Sequence, residues 1–97
     1  MSERRDYQIL ITVNGLLINK VIIDDHYQAK HSDSINDDLI IELVKMLDGQ
    51  FFSPEAENDG FKYFKTEPLS LNGSNYRLIW LLEEHEIYIG IVNAFRR

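Results

Sequence analysis

No cysteine occurs in the chain, which excludes disulfides, thiolate nucleophiles and zinc sites built on cysteine. A glycine-rich phosphate loop and a Gly-x-Ser-x-Gly turn are also missing, so the sequence does not fit the nucleotide-binding proteins or serine hydrolases that carry them. No apolar run approaches the roughly 18 residues that a membrane-spanning helix needs. We therefore expect a protein that uses no cofactor, holds no metal and has no membrane partner.

Length and the first residues set the expected size and compartment. The 97 residues suit a single domain, 1–97. A domain of this size buries roughly 60 to 70% of the surface that its unfolded chain exposes. Residues 1–7 lack the apolar stretch of a secretory signal peptide, and no cysteine is present to form a disulfide. Both observations favour a cytoplasmic protein of bacterial type.

The chain carries a formal net charge of −6 at pH 7. This charge argues against nonspecific nucleic-acid binding, because affinity for a phosphate backbone comes mainly from clustered lysines and arginines. Aspartate and glutamate dominate residues 24–59, whereas Arg4, Arg5, Arg96 and Arg97 lie near the two ends of the chain. If the ends meet in the fold, they would form a small basic patch on an acidic protein.

The N-terminal part predicts a β-hairpin and a short helix. Apolar and β-branched residues fill 7–13 and 16–23, and Asn14-Gly15 between them favours a type I′ turn. Asp24 or Asp25 is a suitable N-cap for a short helix that ends near His31, because a carboxylate accepts the free N–H groups of a first turn.

A second helix is predicted from Ser34. The sequence Ser34-Ile-Asn-Asp37 has the form of a capping box with aspartate in the place of the usual glutamate. Gly49 provides the C-terminal stop. We expect this helix to pack on the sheet, because apolar residues recur at helical spacing along it: Ile35, Leu39, Ile40, Leu43, Val44 and Leu47.

The C-terminal part predicts a surface loop over 54–60 and then three antiparallel strands over 61–71, 76–82 and 87–95. Pro68 indicates an edge strand, a bulge or an interruption in the first of them. The second is apolar on both faces, which is typical of a central strand. The sequence therefore predicts an α+β fold in the order ββααβββ, an antiparallel sheet of about four to five strands with two helices packed on one face.

Two segments, Tyr76-Arg-Leu-Ile-Trp and Ile87-Tyr-Ile-Gly-Ile-Val-Asn-Ala-Phe-Arg-Arg97, give the chain a family resemblance when taken with the element order. They resemble the RelE/ParE-type toxin superfamily and the wider group of barnase-like and RelE-like small ribonucleases. In that family a Tyr-Arg-apolar-apolar strand precedes a last strand that ends near a basic residue. The resemblance implies RNA cleavage, interference with another macromolecule, or a shared scaffold alone. The acidic charge and the additional N-terminal strand depart from the family pattern.

Metal-free RNA cleavage needs a group that accepts the 2′-hydroxyl proton, a group that protonates the leaving oxygen, and cations that stabilise the charged phosphorane. His26 and His31 titrate near neutrality and are the acid–base candidates, with Lys30 as a phosphate-stabilising cation. In a helix His26 and Lys30 would share a face, whereas the two histidines would point about 140° apart. The alternative is that both histidines are solvated polar residues.

Arg77 is the second cation candidate, because an arginine in a central strand needs a carboxylate, a phosphate or an exposed sheet face. The alternative is a structural ion pair. Tyr76, Tyr88 and Arg96 are candidate substrate-binding residues. The two tyrosines are equally interpreted as aromatic packing, and Arg96 as part of a solvated terminus.

Two functions of different classes follow. The first is a toxin-like, metal-independent ribonuclease of a bacterial toxin–antitoxin or related system, which requires the 26–31 segment and Arg77 to share one concave site. The second is a non-enzymatic acidic interaction module, antitoxin-like or immunity-like, that captures a basic protein partner. In either case an edge strand near Pro68 or in the N-terminal hairpin would allow a homodimer by sheet extension.

Overall fold

A computed structural model describes residues 4–24 and 35–97 of the chain. In these residues six strands form one sheet in the order β1-β2-β6-β5-β4-β3, and one helix lies between the second and third strands in sequence. The elements are β1 (Arg4–Val13), β2 (Leu16–Asp24), α1 (Asp37–Lys45), β3 (Ala56–Asn58), β4 (Phe61–Leu71), β5 (Ser74–Glu83) and β6 (Tyr88–Arg96).

Two tight turns have asparagine followed by glycine at their centre. Asn14 and Gly15 have φ values of 53° and 76°, and β1 pairs with β2 in antiparallel register across them. Asn72 and Gly73, with φ values of 52° and 82°, connect β4 to β5 in the same way. Positive φ at both central positions is the requirement of a type I′ turn, and asparagine followed by glycine meets it at low cost. The N-terminal hairpin prediction is confirmed.

The predicted fold class is wrong. The sheet is mixed rather than antiparallel, because β6 inserts beside β2 and runs parallel to it, with Ile23 opposite Ile91. The sheet has six strands, and the described residues contain one helix instead of two. The first predicted helix, over 25–31, lies outside the described residues. Strand direction went unpredicted because a parallel pair joins segments that are distant in sequence and leaves no local turn signal.

The sixth strand is β3, which lies in the stretch predicted as a surface loop. Its residues are exposed, and it pairs with the first residues of β4, with Asn58 opposite Phe61. A strand that buries no side chain shows no apolar alternation, so its pairing depends on backbone hydrogen bonds alone. β1 and β3 are the edge strands of the described sheet. The sheet-extended homodimer stays a prediction.

Helix α1 begins at Asp37, with its N-cap two residues later than the predicted cap, Ser34. Asn36 is its N-cap, and the side-chain oxygen of Asn36 accepts a hydrogen bond of 2.8 Å from the backbone N–H of Leu39. Asp37 and Asp38 occupy the first turn and Lys45 the last, as the helix dipole favours. No described helix is both long and apolar enough to cross a membrane.

The hydrophobic core lies between α1 and one face of the sheet. Ile40, Leu43 and Val44 of the helix are fully buried, which confirms that the predicted apolar face packs on the sheet. Trp80 of β5 is also fully buried, stacks on Phe64 at 4.1 Å between ring centres, and donates a hydrogen bond of 3.0 Å to Thr66. The indole N–H is thereby satisfied inside the core.

The other face of the sheet lies opposite α1, and we call it the open face. β5 is a central strand between β4 and β6, as predicted. Its buried positions alternate with half-exposed ones, so that Arg77 lies on the open face while its neighbours Tyr76 and Leu78 point into the core. Near Arg77 the β4–β5 register shifts between Thr66 and Leu69, which confirms the irregularity that Pro68 predicted.

Candidate functional site

Three of the five arginines of the sequence lie at one end of the β5–β6 ladder. Because β2 and β6 run parallel they end on the same side, and β1 and β5, which are antiparallel to them, begin there. We call this side the arginine end. It is defined by Arg77 of β5 and by Arg96 and Arg97 at the end of β6. Arg5 of β1 is level with Ile91, near the middle of β6, and Arg4 borders a smaller cleft together with Tyr88.

Glu67, Arg77 and Arg97 form an ion-pair cluster at the arginine end. The Nε atom of Arg77 lies 2.5 Å from Oε2 of Glu67, and its Nη2 donates a hydrogen bond of 3.3 Å to Oε1. Arg97 contacts the same Oε1. The Glu67 side chain is 19% exposed and that of Arg77 is 35% exposed. One carboxylate thus lies against two guanidiniums, and the cluster has a net positive charge.

Glu67 holds the Arg77 guanidinium in place, but the Nε–H group of Arg77 lacks a hydrogen-bond acceptor among the described residues. This Nε atom is buried, and among the described residues it makes no hydrogen bond of good geometry despite its closeness to Glu67. A contact this short whose N–H does not point at the oxygen is electrostatic rather than a directional hydrogen bond. Because this Nε is buried, an acceptor from solvent would have to reach the terminal Nη atoms of the guanidinium, whose side chain is 35% exposed.

Phe95 supplies an aromatic ring beside this cluster. It lies opposite Arg77 in the β5–β6 ladder, and its ring centre is 5.8 Å from Cζ of Arg77. This distance is within the range of a cation–π contact. The backbone N–H of Arg97 donates a hydrogen bond of 2.7 Å to the carbonyl of Asn75, which fixes the position of the chain after Phe95. The open face therefore presents two guanidiniums and a half-exposed ring together.

Tyr76 and Arg96 lie opposite each other in the same ladder but on the core side. Tyr76 is buried and belongs to the hydrophobic core, so its ring faces away from Arg77. Arg96 is exposed, and it forms no ion pair with any residue that the structure describes. Of the candidates predicted from sequence, Arg77 and Arg96 are brought to the same end of the sheet, whereas Tyr76 packs in the core.

Tyr88 lies at the other end of β6. It is seven residues from Phe95, or about 23 Å along an extended strand, so the structure does not bring it together with Arg77. Its hydroxyl donates a hydrogen bond of 2.6 Å to Glu83. Burial and this hydrogen bond raise the pKa of Tyr88 to about 12. At neutral pH the phenol is therefore a hydrogen-bond donor to Glu83.

His26, Lys30 and His31 lie outside the described residues, so their part in a shared site stays a prediction. The described residues on either side of them lie beside Arg4 and Arg5 of β1. Asp24 is the last residue of β2, and Asp37 at the start of α1 contacts Arg5 of β1 with Nε 2.5 Å from Oδ2.

Asp37 ties the start of α1 to β1. It accepts a second hydrogen bond of 2.9 Å from Nη2 of Arg5 and another from the hydroxyl of Tyr7. The hydrogen bond to Asp37, together with burial, raises the pKa of Tyr7. This cluster explains how the charge of Arg5 is balanced and why the helix begins where it does.

Sequence reasoning missed Glu67 and Phe95. Glu67 precedes Pro68 in a stretch where the β4–β5 register is irregular. The sequence signal for Glu67 was that an acidic residue stands next to the proline, which does not identify its partner. Phe95 alternates with Arg96 on the last strand, but its pairing with Arg77 depends on the register of β5 and β6. Among the residues of 4–24 and 35–97, no group of three or more acidic or histidine side chains is arranged to hold a metal ion.

Comparison with known proteins found no relative of this chain. No protein-family model matches the chain, and neither a curated protein nor a solved structure matches it. The RelE-like resemblance therefore depends on the residues quoted from the sequence.

Proposed function

We propose that this protein is a RelE-like, toxin-type ribonuclease of a bacterial toxin–antitoxin or related system, acting in the cytoplasm without a metal. The observation that carries the proposal is the cluster of Arg77, Arg97 and Phe95 on the open face at the arginine end. Arg77 belongs to the Tyr-Arg-Leu-Ile segment on which the family resemblance depends.

The guanidiniums would bind the phosphate at which cleavage occurs. A guanidinium presents several donors in one plane and pairs well with phosphate oxygens. The Arg77 side chain is 35% exposed, so a phosphate would reach its terminal Nη atoms, and Arg96 carries an exposed charge at the same end of the ladder. In the phosphorane that forms during cleavage, the added negative charge would be stabilised by such pre-positioned donors.

Phe95 would hold a base of the substrate. RNA-binding sheets commonly stack unpaired bases on half-exposed aromatic rings, and each stacked base contributes about 1 to 3 kcal/mol. The ring of Phe95 lies on the open face next to Arg77, so a phosphate on the guanidinium and a neighbouring base on the ring could be bound at once.

Glu67 would position the two arginines. Its oxygens already contact Arg77 and Arg97, so the carboxylate has little remaining capacity to accept a proton from the 2′-hydroxyl. The acid and base would then come from His26 or His31, with Lys30 as an additional cation. These three residues are carried over from the sequence as part of the proposal.

The acidic net charge is compatible with RNA binding if the charges are segregated. Glu83 ends β5, and Glu84 and Glu86 lie in the β5–β6 turn, at the opposite end of the ladder from Arg77, Arg96 and Arg97. A charged ligand responds to the local field rather than to the net charge, and a polarised surface orients its approach. A polyanion would thus be attracted at the arginine end and repelled at the other.

The test is cleavage of a fluorescent single-stranded RNA by purified protein in the presence of a metal chelator. Wild type is expected to cleave, and Arg77→Gln, His26→Ala and His31→Ala are expected to reduce the rate. Lys45→Gln removes an equal charge from an exposed position in the last turn of α1 and is the matched control. Absence of cleavage, or an equal loss in Lys45→Gln, would contradict the proposal. Toxicity on expression is a faster first measurement.

The second candidate function is a non-enzymatic interaction module on the same scaffold, antitoxin-like or immunity-like. The observation that favours it is the concentration of carboxylates at the end of the sheet opposite the arginines. Under this alternative, high expression would leave growth unaffected, RNA would remain intact, and the protein would bind a basic partner.

A further inference from the structure

A cleft of about 930 Å³ lies at the end of the sheet opposite the arginine end. It opens where three turns converge: the β1–β2 turn at Asn14, the β3–β4 turn at Asp59, and the β5–β6 turn at His85. This volume is within the range of about 300 to 1,000 Å³ that is typical of pockets for small ligands. A short stretch of another polypeptide could therefore place several side chains in it.

Apolar side chains line this cleft although they are exposed. Leu16 is 49% exposed and Ile87 is 55% exposed, and both border the cleft together with Phe61. Phe51, 79% exposed, lies against Gly15 in the adjacent turn, with a ring atom 3.7 Å from the position that a Cβ would take. Clustered exposed apolar side chains commonly mark protein interaction sites.

The remaining lining residues are mainly acidic: Glu57, Asp59, Glu83, Glu84 and Glu86. Lys62 and His85 are the basic side chains of the lining. Glu84 contacts His85 at 3.1 Å, and Glu83 accepts the Tyr88 hydroxyl. Glu57, Asp59 and Glu86 form no ion pair with any part of the chain that the structure describes. The cleft therefore combines an apolar floor with an unbalanced negative rim.

We infer that this acidic cleft docks a linear segment of another protein in which lysine or arginine side chains flank an apolar one. The apolar side chain would occupy the space between Leu16 and Ile87, and the cations would meet the carboxylates of the rim. An apolar centre with a charged rim is the usual arrangement of a protein interface, and complementary charge steers the encounter. The inference does not depend on RNA cleavage.

A cationic peptide segment fits this surface better than other occupants do. A nucleic acid would be repelled by the carboxylates. A second copy of this chain offers its arginine end, but there Arg77 and Arg97 already contact Glu67. That end combines three arginines with one glutamate, and this positive charge is smaller than the negative charge of the five carboxylates that line the cleft.

The experiment measures binding of a fluorescein-labelled peptide in which lysine and leucine alternate, by fluorescence anisotropy at low and at high salt. Binding to wild type is expected, and high salt should weaken it because the rim charges are exposed. Glu86→Lys should raise the dissociation constant about tenfold or more, and Ile87→Ser should also raise it. Glu42→Lys makes the same charge change at an exposed position of α1 and should leave binding unchanged.

Two altered peptides separate charge from apolar contact. Replacing the lysines with glutamate should abolish binding, and replacing the leucines with serine should weaken it. Amide chemical shifts of the protein on peptide addition should change at the three turns that form the cleft. The inference is overturned if shifts change only elsewhere, if Glu42→Lys weakens binding as much as Glu86→Lys does, or if wild type does not bind. Salt-sensitive self-association in sedimentation, abolished by Glu86→Lys, would assign the cleft to a second copy instead.

Discussion

Glu67 holds Arg77 on the open face of the sheet, with Oε2 of the carboxylate 2.5 Å from Nε of the guanidinium. The same carboxylate contacts Arg97 through its other oxygen. It therefore stabilises two like charges that would otherwise repel each other, and it also competes with any anion that those arginines would bind. Stability and anion affinity should respond in opposite directions when this carboxylate is removed.

Glu67→Gln should lower the free energy of unfolding by about 1 to 2 kcal/mol, between the effects of exposed and buried ion pairs, because the pair is partly exposed. The same variant should bind single-stranded RNA more tightly than wild type. Urea unfolding and fluorescence anisotropy measure the two effects. Glu55→Gln is the matched control, since Glu55 is exposed and lies 3.9 Å from Lys65. Unchanged stability in Glu67→Gln would show that the cluster does not support the fold.

Phe64→Ala should lower the free energy of unfolding by about 3 to 5 kcal/mol, because it removes the ring that stacks on Trp80 and leaves a cavity in the core. Trp80 fluorescence follows the urea transition directly. Lys65→Ala changes the next residue, which is exposed, and should stay within about 0.5 kcal/mol of wild type. A small loss of stability in Phe64→Ala would mean that neighbouring core side chains move to fill the cavity.

Alkaline pH should destabilise the protein through Tyr88. The pKa of this phenol rises from 10.0 to about 12 on folding, because of burial and the hydrogen bond to Glu83. Between these values the unfolded chain loses the proton while the folded chain keeps it. The stabilisation is therefore complete below pH 10 and is lost as the pH rises through 12.

The measurement is the urea midpoint as a function of pH for wild type and for Tyr88→Phe. The variant should lose less stability between pH 10 and pH 12. The stability of Tyr88→Phe should still depend on pH in this range, because the pKa of Tyr7 is also raised by its hydrogen bond to Asp37. Identical slopes for the two proteins would contradict the assignment.

Gly90→Ala should destabilise the protein because a Cβ at this position would lie 2.8 Å from Cδ1 of Leu81. Leu81 is half-exposed on the open face and can move aside, so we expect a cost of about 1 kcal/mol, the low end for overpacking. Adding Leu81→Ala should remove most of the extra cost, and a double-mutant cycle by urea unfolding measures this coupling. Additive effects would show that the close approach does not limit the substitution.

The elements that the sequence predicted correctly are the ones with local chemical signals. Asn14-Gly15 adopts the positive φ angles that its composition favours, and Leu43 and Val44 of α1 are buried as their spacing indicated. The helix start was misplaced because Ser34 and Asn36 are both good N-caps, and the contact of Asp37 with Arg5 favours the later start.

Long-range features were not predictable in this way. Pairing of β2 with β6 joins residues such as Ile23 and Ile91, and no local pattern specifies that partner or its direction. Glu67 became part of the site through the register of β4 and β5, which sequence alone leaves undetermined.

The place of β6 in the sheet has a consequence for how the chain is made. β6 follows the other described strands in the sequence, yet it lies in the middle of the sheet and is the only described strand that joins the β1–β2 hairpin to the β3–β4–β5 meander. Before it emerges, β2 and β5 each present an unpaired edge, the kind of surface that promotes aggregation. Completion of the described sheet therefore has to wait until β6 has emerged, and chains that lack β6 would be the ones most in need of a chaperone.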